Sequence, residues 1–530
     1  MEAQSLLLVF AVLCGVGMLL AGTFVPERQG SLLAWIGAAA GIVLVLAGGR
    51  ILTGGAAFVQ TLWSVPGVTV LTLTCDRLSA MFIAVTGLVL APASIFAGRD
   101  LDREGRRGGE RSFTTLLLAL YVSIVLVYLA GDAVTFLLAW ELMSILCYLL
   151  IVGGRGGENG RAGAGYLLLG LGEAGTVAIM LGFLLLAVSA ESLAFPALRS
   201  AASAMGGSAR WVTFLLSFFG FGVKAGLVPV NSWLPRAYSA APRAFVPILA
   251  GATLNLGLYG ILRINVDLMP AVDVDTGLLA LAFGSASALL GILYATTDND
   301  LKLMLAHSSI ENVGIVVAGF GAGMVFAATG HAALAAIAFI ASLYHLANHS
   351  LYKTLLFFGV GVVERETGTR DMDQLGGLIR WMPLTALVFL AGTLAIAGLP
   401  PLNGFVSEWL TLQTMLRSAE LASIEAKIIF ALCGAALALT AALAVTCFVK
   451  VFAMTFLGMR RLDPERRVAE PTSGALVPMA VLGVLCLALG VLPTYVIGVL
   501  DGVVAPMSGA RAAEALVPPF FAGAAGHEGL

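Results

Sequence analysis

The sequence predicts an all-α, polytopic membrane protein of about fourteen transmembrane helices. Of its 530 residues 59% are hydrophobic and 11% charged, and the mean hydropathy is +0.98, a composition that places the chain outside the water-soluble class. Apolar stretches of spanning length fall at 5–26, 31–52, 77–98, 113–130, 132–153, 162–188, 211–230, 242–265, 274–296, 302–320, 328–363, 383–416, 424–458 and 475–500. The short connections between them leave no length for a soluble catalytic domain. The formal net charge of -2 carries no indication of a nucleic-acid partner.

Taken in order, the chain opens MEAQ and enters its first apolar run without the basic start or small-residue cleavage site of a secretory signal, so that run is expected to stay as the first span. Segment 56–74 is apolar but interrupted by Pro66 and Gly67, which predicts a re-entrant or outer-surface hairpin. The stretch 99–111 is a charged loop. With the N-terminus outside, the cytoplasmic loops collect Arg99, Arg103, Arg106, Arg107, Arg111, Arg155, Arg161, Arg236, Arg243 and the arginines of 365–380 and 460–467, about twice the cationic content of the opposite loops. That asymmetry sets the expected orientation. The six cysteines, Cys14, Cys75, Cys147, Cys433, Cys447 and Cys486, stand singly in apolar runs, without the close pairs that zinc or iron–sulfur ligation needs.

FGVKAGLVPVNSWLP (221–235) and LAIAGLPPLNGFVSEWL (394–410) share an AGL, proline and asparagine break. Proline removes a backbone donor, and broken backbone survives at membrane depth only where protein or water satisfies it. A pair of such breaks in two halves of a membrane protein points to a repeat architecture with an ion site at the breaks. GLGEAG (170–175) matches a dinucleotide-binding pattern, but it lies inside an apolar span with no preceding strand, so it reads as close helix packing.

An ionisable group inside hydrocarbon costs several kcal/mol, and this chain holds a set of them. Glu141 lies mid-span and calls for a cation; Lys224, at the first break, is the candidate. Opposite charges about 7 Å apart attract by roughly 2 kcal/mol at an effective dielectric near 20, so proton exchange at one is felt at the other. His307 and Glu311 stand one turn apart, and His345, His349 and Lys353 recur at intervals of four, which puts them on one helical face. Glu408, just past the second break, would end this polar line. His307 alone fits a hydrogen-bonded packing residue as well as a relay, and Lys302, Lys427 and Lys450 lie near span ends, where snorkelling suffices.

AWELMSILCYLLI, FGVKAGLVPVNSWLPRAYSAAP, DNDLKLMLAHSSIENVGI, YHLANHSLYKTLLFFGVGVV, TGTRDMDQLGGLIRWMP and LAIAGLPPLNGFVSEW together resemble the antiporter-like subunits of respiratory complex I, multisubunit sodium/proton antiporters and membrane-bound hydrogenases. SSIENVG and LNGFVSEW are most similar to hydrogenase-4 component B and the formate hydrogenlyase membrane subunit. The resemblance implies two inverted five-helix repeats, each with a half-channel at a broken helix, over 113–265 and 274–458, flanked by N-terminal helices and a hairpin (1–112) and a C-terminal helix and tail (459–530). It implies a carboxylate–lysine pair at Glu141 and Lys224, a proton passed to Lys353, and an exit at Glu408. It also implies no cofactor and no catalytic centre in this chain. Redox chemistry would belong to a peripheral arm, with other membrane subunits, the bilayer and protons or sodium ions as partners, in a bacterial or archaeal cytoplasmic membrane.

Three positions depart from the family pattern. Asn231 stands where a histidine is usual and Asn255 where a lysine is usual, while Glu173 stands where a histidine is expected, as a candidate compensating acid near Lys224. The chain also ends about 30 residues past its last span, short of the C-terminal extension of the hydrogenase-4 type. The expected function is ion translocation within a complex I-like, hydrogenase- or formate-linked oxidoreductase. The alternatives are a component of a sodium/proton antiporter or ion-driven uptake system, and a non-conducting scaffold.

Overall fold

In hydrocarbon every backbone N–H and C=O must find its partner inside the segment, so uninterrupted apolar sequence becomes helix. The computed structural model describes residues 2–23, 29–65, 69–104, 110–153, 158–270, 273–463 and 465–516. Pro66, Gly67, Arg106, Arg107 and Arg155 lie outside the described residues. In chain order the elements are α1 (Ala3–Thr23), α2 (Gln29–Leu52), β1 (Phe58–Val65), β2 (Thr69–Cys75), α3 (Arg77–Glu104), α4 (Glu110–Leu129), α5 (Ala133–Val152), α6 (Glu158–Ala187), α7 (Phe195–Ser203), α8 (Gly207–Ala225) and α9 (Trp233–Ala240). There follow α10 (Val246–Ile248), α11 (Leu254–Leu262), α12 (Val274–Thr297), α13 (Leu301–Ala328), α14 (Ala332–Thr367), α15 (Pro383–Ile396) and α16 (Asn403–Leu416). The chain closes with α17 (Ile424–Phe456), α18 (Ser473–Val491), α19 (Pro493–Ser508) and α20 (Ala513–Leu516).

Among the described residues twelve helices are long and apolar enough to cross a membrane, among them the continuous segment 246–268, in which α10 and α11 join through a π-helical turn at Leu249–Thr253 and a second π-helical turn, Arg263–Leu268, follows. The two remaining expected spans are the broken ones, 211–230 (α8 running to α9) and 383–416 (α15 running to α16). The expected span at 475–500 stops at Val491, because Pro493 starts a separate helix.

Segment 56–74 forms the expected hairpin, and it is a β-hairpin: β1 and β2 pair antiparallel from Phe58↔Cys75 to Val65↔Thr69. Its Val- and Thr-rich sequence favours strand. The hairpin is docked at one end of the bundle, where Thr72 N–H donates to Asp132 Oδ2 (2.8 Å) and Gly131 N–H to the Thr72 carbonyl (2.9 Å). Asp132 is itself the N-cap of α5, accepting from Thr135 N–H at 2.9 Å.

The core sits in the middle of the helix array. In the most apolar stretch of 246–268, 100% of residues are buried, and 94% in α13, against 28% in α1 and α17, which leave most of their surface for lipid or partners. A glycine seam brings α12 and α13 into backbone contact: a Cβ at Gly291 would stand 2.4 Å from Glu311 N, and one at Gly284 2.3 Å from Ala318 N. Within GLGEAG the expected close packing is confined to Gly175, where a Cβ would lie 2.8 Å from the Gly220 carbonyl on α8, whereas a Cβ at Gly170 or Gly172 would meet nothing within 4 Å.

The two breaks share one backbone device. Gly226 (φ 77°) and Gly398 (φ 62°) take the left-handed conformation that ends a helix, and each is followed by a cis X–Pro bond, Val228–Pro229 and Pro400–Pro401. At the first break Trp233 Nε1 donates to the Val223 carbonyl at 2.6 Å and Val228 N–H to Ser287 Oγ at 3.1 Å, so the freed backbone is satisfied by neighbouring side chains.

At the end of the bundle opposite the hairpin, several arginines form ion pairs. Arg243 and Arg365 both pair with Asp100 (3.6 and 3.4 Å), and Arg370 pairs with Asp300 (2.5 Å).

Candidate ion-conducting site

The densest polar cluster in the apolar interior lies where α13, α14 and α16 meet. His345, His349 and Lys353 of α14 are all buried, as the four-residue spacing predicts. Lys353 Nζ reaches α13, donating to the Leu305 carbonyl (3.1 Å) and Ser308 Oγ (2.5 Å). One turn along α13, Asn312 Nδ2 donates to the Ser308 carbonyl (2.7 Å) and lies 3.4 Å from Glu311 Oε2. A carbonyl only accepts, so this contact fixes the amide's orientation and turns Oδ1 toward the Tyr352 hydroxyl (2.5 Å) and His345 Nε2 (3.1 Å). Nε2 must therefore donate. A neutral His345 then carries its proton on Nε2 and presents Nδ1 to the Ser407 hydroxyl of α16 at 3.0 Å, which also has the Gly404 carbonyl within reach at 3.1 Å.

Asn348 and Asn403 close the junction. Asn348 Nδ2 donates to the Asn403 carbonyl (2.8 Å) and Ser407 Oγ (3.0 Å), and Asn403 Nδ2 donates back to Asn348 Oδ1 (2.9 Å). The second break is thereby tied to α14 by side chains from both sides of the junction. Glu408 folds back beneath that break: a Cβ at Gly398 would stand 2.4 Å from its Oε2, so glycine is required there for space as well as for backbone conformation. Glu311 and Glu408 line a common cavity of about 20 Å³, enough for one water. His349 Nε2 is buried without a partner among the described residues, and its ring faces Tyr352 at 5.9 Å.

The first half is sparser. Glu141 of α5 is half-buried, with Oε1 buried and without a partner among the described residues, and the exposed Glu173 of α6 lies near it. Lys224 is buried two residues before the left-handed Gly226. Among the described residues no ion pair within 4.0 Å joins Lys224 to Glu141. The carboxylate's close companion is a second acid, Glu173, because α6 packs beside α5. Asn231 is half-buried, and its carbonyl accepts from Leu234 N–H (3.0 Å) to open α9. Asn255 is buried and joins the halves: Nδ2 donates to the Gly251 carbonyl (3.0 Å) and to Ser350 Oγ of α14 (2.8 Å), with Oδ1 unpartnered among the described residues.

His307 stands apart from the α14 line. It is partly exposed at the α12–α13 turn, Nδ1 lies 2.5 Å from Asp298 Oδ2, and its ring faces Tyr294. Lys450 caps the same turn through the carbonyls of Thr296 (3.0 Å) and Asp298 (2.9 Å). His307 thus stands near the α12–α13 turn, one helical turn from Glu311 on α13. Lys302 is also no simple snorkel: it is buried and pairs with Glu364 at 3.1 Å. Sequence reading missed Ser308, Asn312, Ser350, Asn403 and Ser407. The four-residue spacing of Ser308 with Asn312 and of Asn403 with Ser407 was the available signal.

A second charged cluster, also missed, lies under the β-hairpin. Arg263 forks onto both oxygens of Asp76 (2.6 and 2.9 Å) and reaches Asp267 (2.7 Å), which Arg199 holds from the other side (2.7 Å). Asp76 lies outside the spans. Burial pushes its carboxyl up, but the Arg263 charge and hydrogen bonds from Arg263 and Ser79 outweigh that and hold it at about 2.

A helix bundle with paired broken helices and a buried line of titratable groups defines a polytopic membrane protein of the antiporter-like class. Residues 130–437 match the family NADH:quinone oxidoreductase/Mrp antiporter, TM, and the chain belongs to it. It is 35% identical over 418 residues to hydrogenase-4 component B of Escherichia coli (strain K12), covering 78% of this chain and 62% of that protein. It is 36% identical over 295 residues to formate hydrogenlyase subunit 3 of the same organism, covering 55% of this chain and 48% of that protein. The chain thus spans about half to two-thirds of the length of these curated relatives. Its fold is shared with a chain in the structure of the Mrp complex from Dietzia sp. DQ12-45-1b (TM-score 0.78, 22% identity, 94% of this chain and 97% of that one). The protein is therefore an antiporter-like membrane subunit, and its structural neighbours are components of multisubunit membrane complexes.

Proposed function

We propose that this chain translocates protons as a non-redox membrane subunit of a complex I-like oxidoreductase, hydrogenase- or formate-linked, in a cytoplasmic membrane with its N-terminus outside. The observation that carries the reading is the buried polar cluster beside the Glu311–Glu408 cavity, in which Lys353 donates to the Ser308 hydroxyl, Asn312 is held by the Ser308 carbonyl and meets His345, and His345 meets Ser407 next to the second break. Hydroxyls, an imidazole and amide groups supply donors and acceptors in series, and a charge held this deep is costly unless it is used. Glu141, Glu173 and Lys224 serve the first break, Asn255 and Ser350 hand over between the repeats 113–265 and 274–458, and His307 stands at the mouth. Other membrane subunits and a peripheral redox arm are the partners. This chain responds to their charge and holds no cofactor of its own.

The test is proton uptake into vesicles carrying the purified assembly, measured beside electron transfer. Lys353→Met and Glu408→Gln are expected to remove most proton movement while redox turnover persists. Undiminished uptake in both would overturn the reading. A cation/proton antiporter is the second reading, favoured by the 28% identity over 94% of this chain to a probable K(+)/H(+) antiporter component of Rhizobium meliloti (strain 1021). Cation-driven proton release with no redox subunit in the preparation would select it.

A further inference from the structure

At the hairpin end of the bundle, a cavity of about 460 Å³ opens between α8 of the first half and α12 and α13 of the second, within the ~300–1,000 Å³ range of ligand sites. It is separate from the buried line described above. Trp211, Phe214 and Met324 give it an apolar wall, and two opposite charges, Arg210 and Asp273, stand at its edge. Asn265, only 2% exposed, faces it from the π-helical turn. Ser217 Oγ lies 2.8 Å from Asn265 Oδ1 and 2.8 Å from the Thr213 carbonyl, and Asn265 Nδ2 is buried with no partner among the described residues. A buried amide left half-satisfied is destabilising unless a water completes it.

The two charges are held apart. Arg210 is fixed by its donations to the carbonyls of Ala202 (3.2 Å) and Pro270 (2.9 Å), which use one N–H of each terminal nitrogen and leave further donors free for a ligand. Asp273 accepts from Asp275 N–H through Oδ1 (3.1 Å) as the N-cap of α12. Among the described residues no ion pair within 4.0 Å joins Arg210 to Asp273. A lone anion would meet the Asp273 carboxylate, and a lone cation the guanidinium. A molecule with both charges a few ångströms apart and an apolar tail satisfies the edge and the wall together, and a tryptophan at this level is the usual companion of a lipid headgroup.

We propose that this cavity binds an aminophospholipid, its phosphate on Arg210 and its primary ammonium on Asp273, with its tail along Trp211, Phe214 and Met324. The primary ammonium donates hydrogen bonds to a carboxylate; a trimethylated one cannot. The seam between the two halves is then filled by a lipid, which couples their packing to membrane composition.

The experiment takes the full chain with whatever subunits accompany it, delipidates it in detergent, and adds phosphatidylethanolamine, phosphatidylglycerol or phosphatidylcholine in turn. Retained lipid is counted by native mass spectrometry, and melting is followed in parallel. Phosphatidylethanolamine is expected to be retained about tenfold over either other lipid, which corresponds to about 1.4 kcal/mol. Arg210→Gln is expected to abolish that excess, and Asp273→Asn to shift retention toward phosphatidylglycerol. Should Arg210→Gln fail to fold, Asp273→Asn at the rim decides alone. Equal retention of all three lipids overturns the proposal, as does a phosphatidylglycerol preference in the unaltered chain. Crosslinking of Trp211→Cys to an accompanying protein instead of to lipid overturns it too.

Discussion

The two broken helices use the same backbone and opposite charges. In α8–α9 a lysine, Lys224, stands ahead of the left-handed glycine; in α15–α16 a glutamate, Glu408, stands after it and folds back against Gly398. Around the second break the polar side chains interlock, with Asn312, His345, Ser407, Asn348 and Asn403 in mutual contact. Around the first the polar contacts are few, and the acid Glu141 faces the acid Glu173. The backbone break opens a path for a charge, and the neighbours decide which charge and how tightly it is held. A dense network holds one arrangement, whereas a sparse one leaves room for water and for change.

Lys224→Met tests whether the sparse half carries flux at all. If both halves act in series, proton uptake falls as far as in Lys353→Met, read as the initial rate in vesicles with electron transfer unchanged. A drop confined to Lys353→Met would break the symmetry and make the first half a scaffold. Asn312→Leu probes the dense half. It strands the Tyr352 hydroxyl and His345 Nε2, so the protein is expected to lose roughly 1–4 kcal/mol, measured by thermal melting in detergent, together with proton uptake. Asn255→Leu removes one donor to Ser350 in the sparse join and is expected to cost less, about 1 kcal/mol or below, in the same melt.

The smallest effect belongs to Asp76, which lies outside the spans. Asp76 titrates at about 2 in the folded protein against an ordinary 3.8, so its contribution is present above about pH 4 and is lost as pH falls from there through about 2. Asp76→Asn is expected to flatten the acid limb of a melting-temperature profile over that window and to lower melting slightly at neutral pH. An unchanged acid limb would show that the Arg263 fork is as well made in the unfolded chain.

Several side chains were legible from spacing alone. The four-residue interval of His345, His349 and Lys353 places all three on one helix face, and burial of that face follows from the apolar sequence around it. Both breaks were legible because proline and glycine act locally. The β structure of 58–75 was not, since an apolar run with a central break fits several hairpins, and only pairing across it selects strands. The Glu141–Glu173 contact and the removal of His307 to the α12–α13 turn were equally out of reach, because each depends on where a different helix crosses.

The sequence by itself determined the membrane as solvent, the number and order of the spans, the two breaks and the residues able to hold a proton. These follow from hydropathy and from backbone chemistry within a few residues. Only the tertiary structure decided which of those residues meet. Asn312 gains its place against Tyr352 and His345, and Asn265 its place beside Arg210, from contacts between separate helices. Such contacts are set by close glycine packing and burial, which no local pattern encodes.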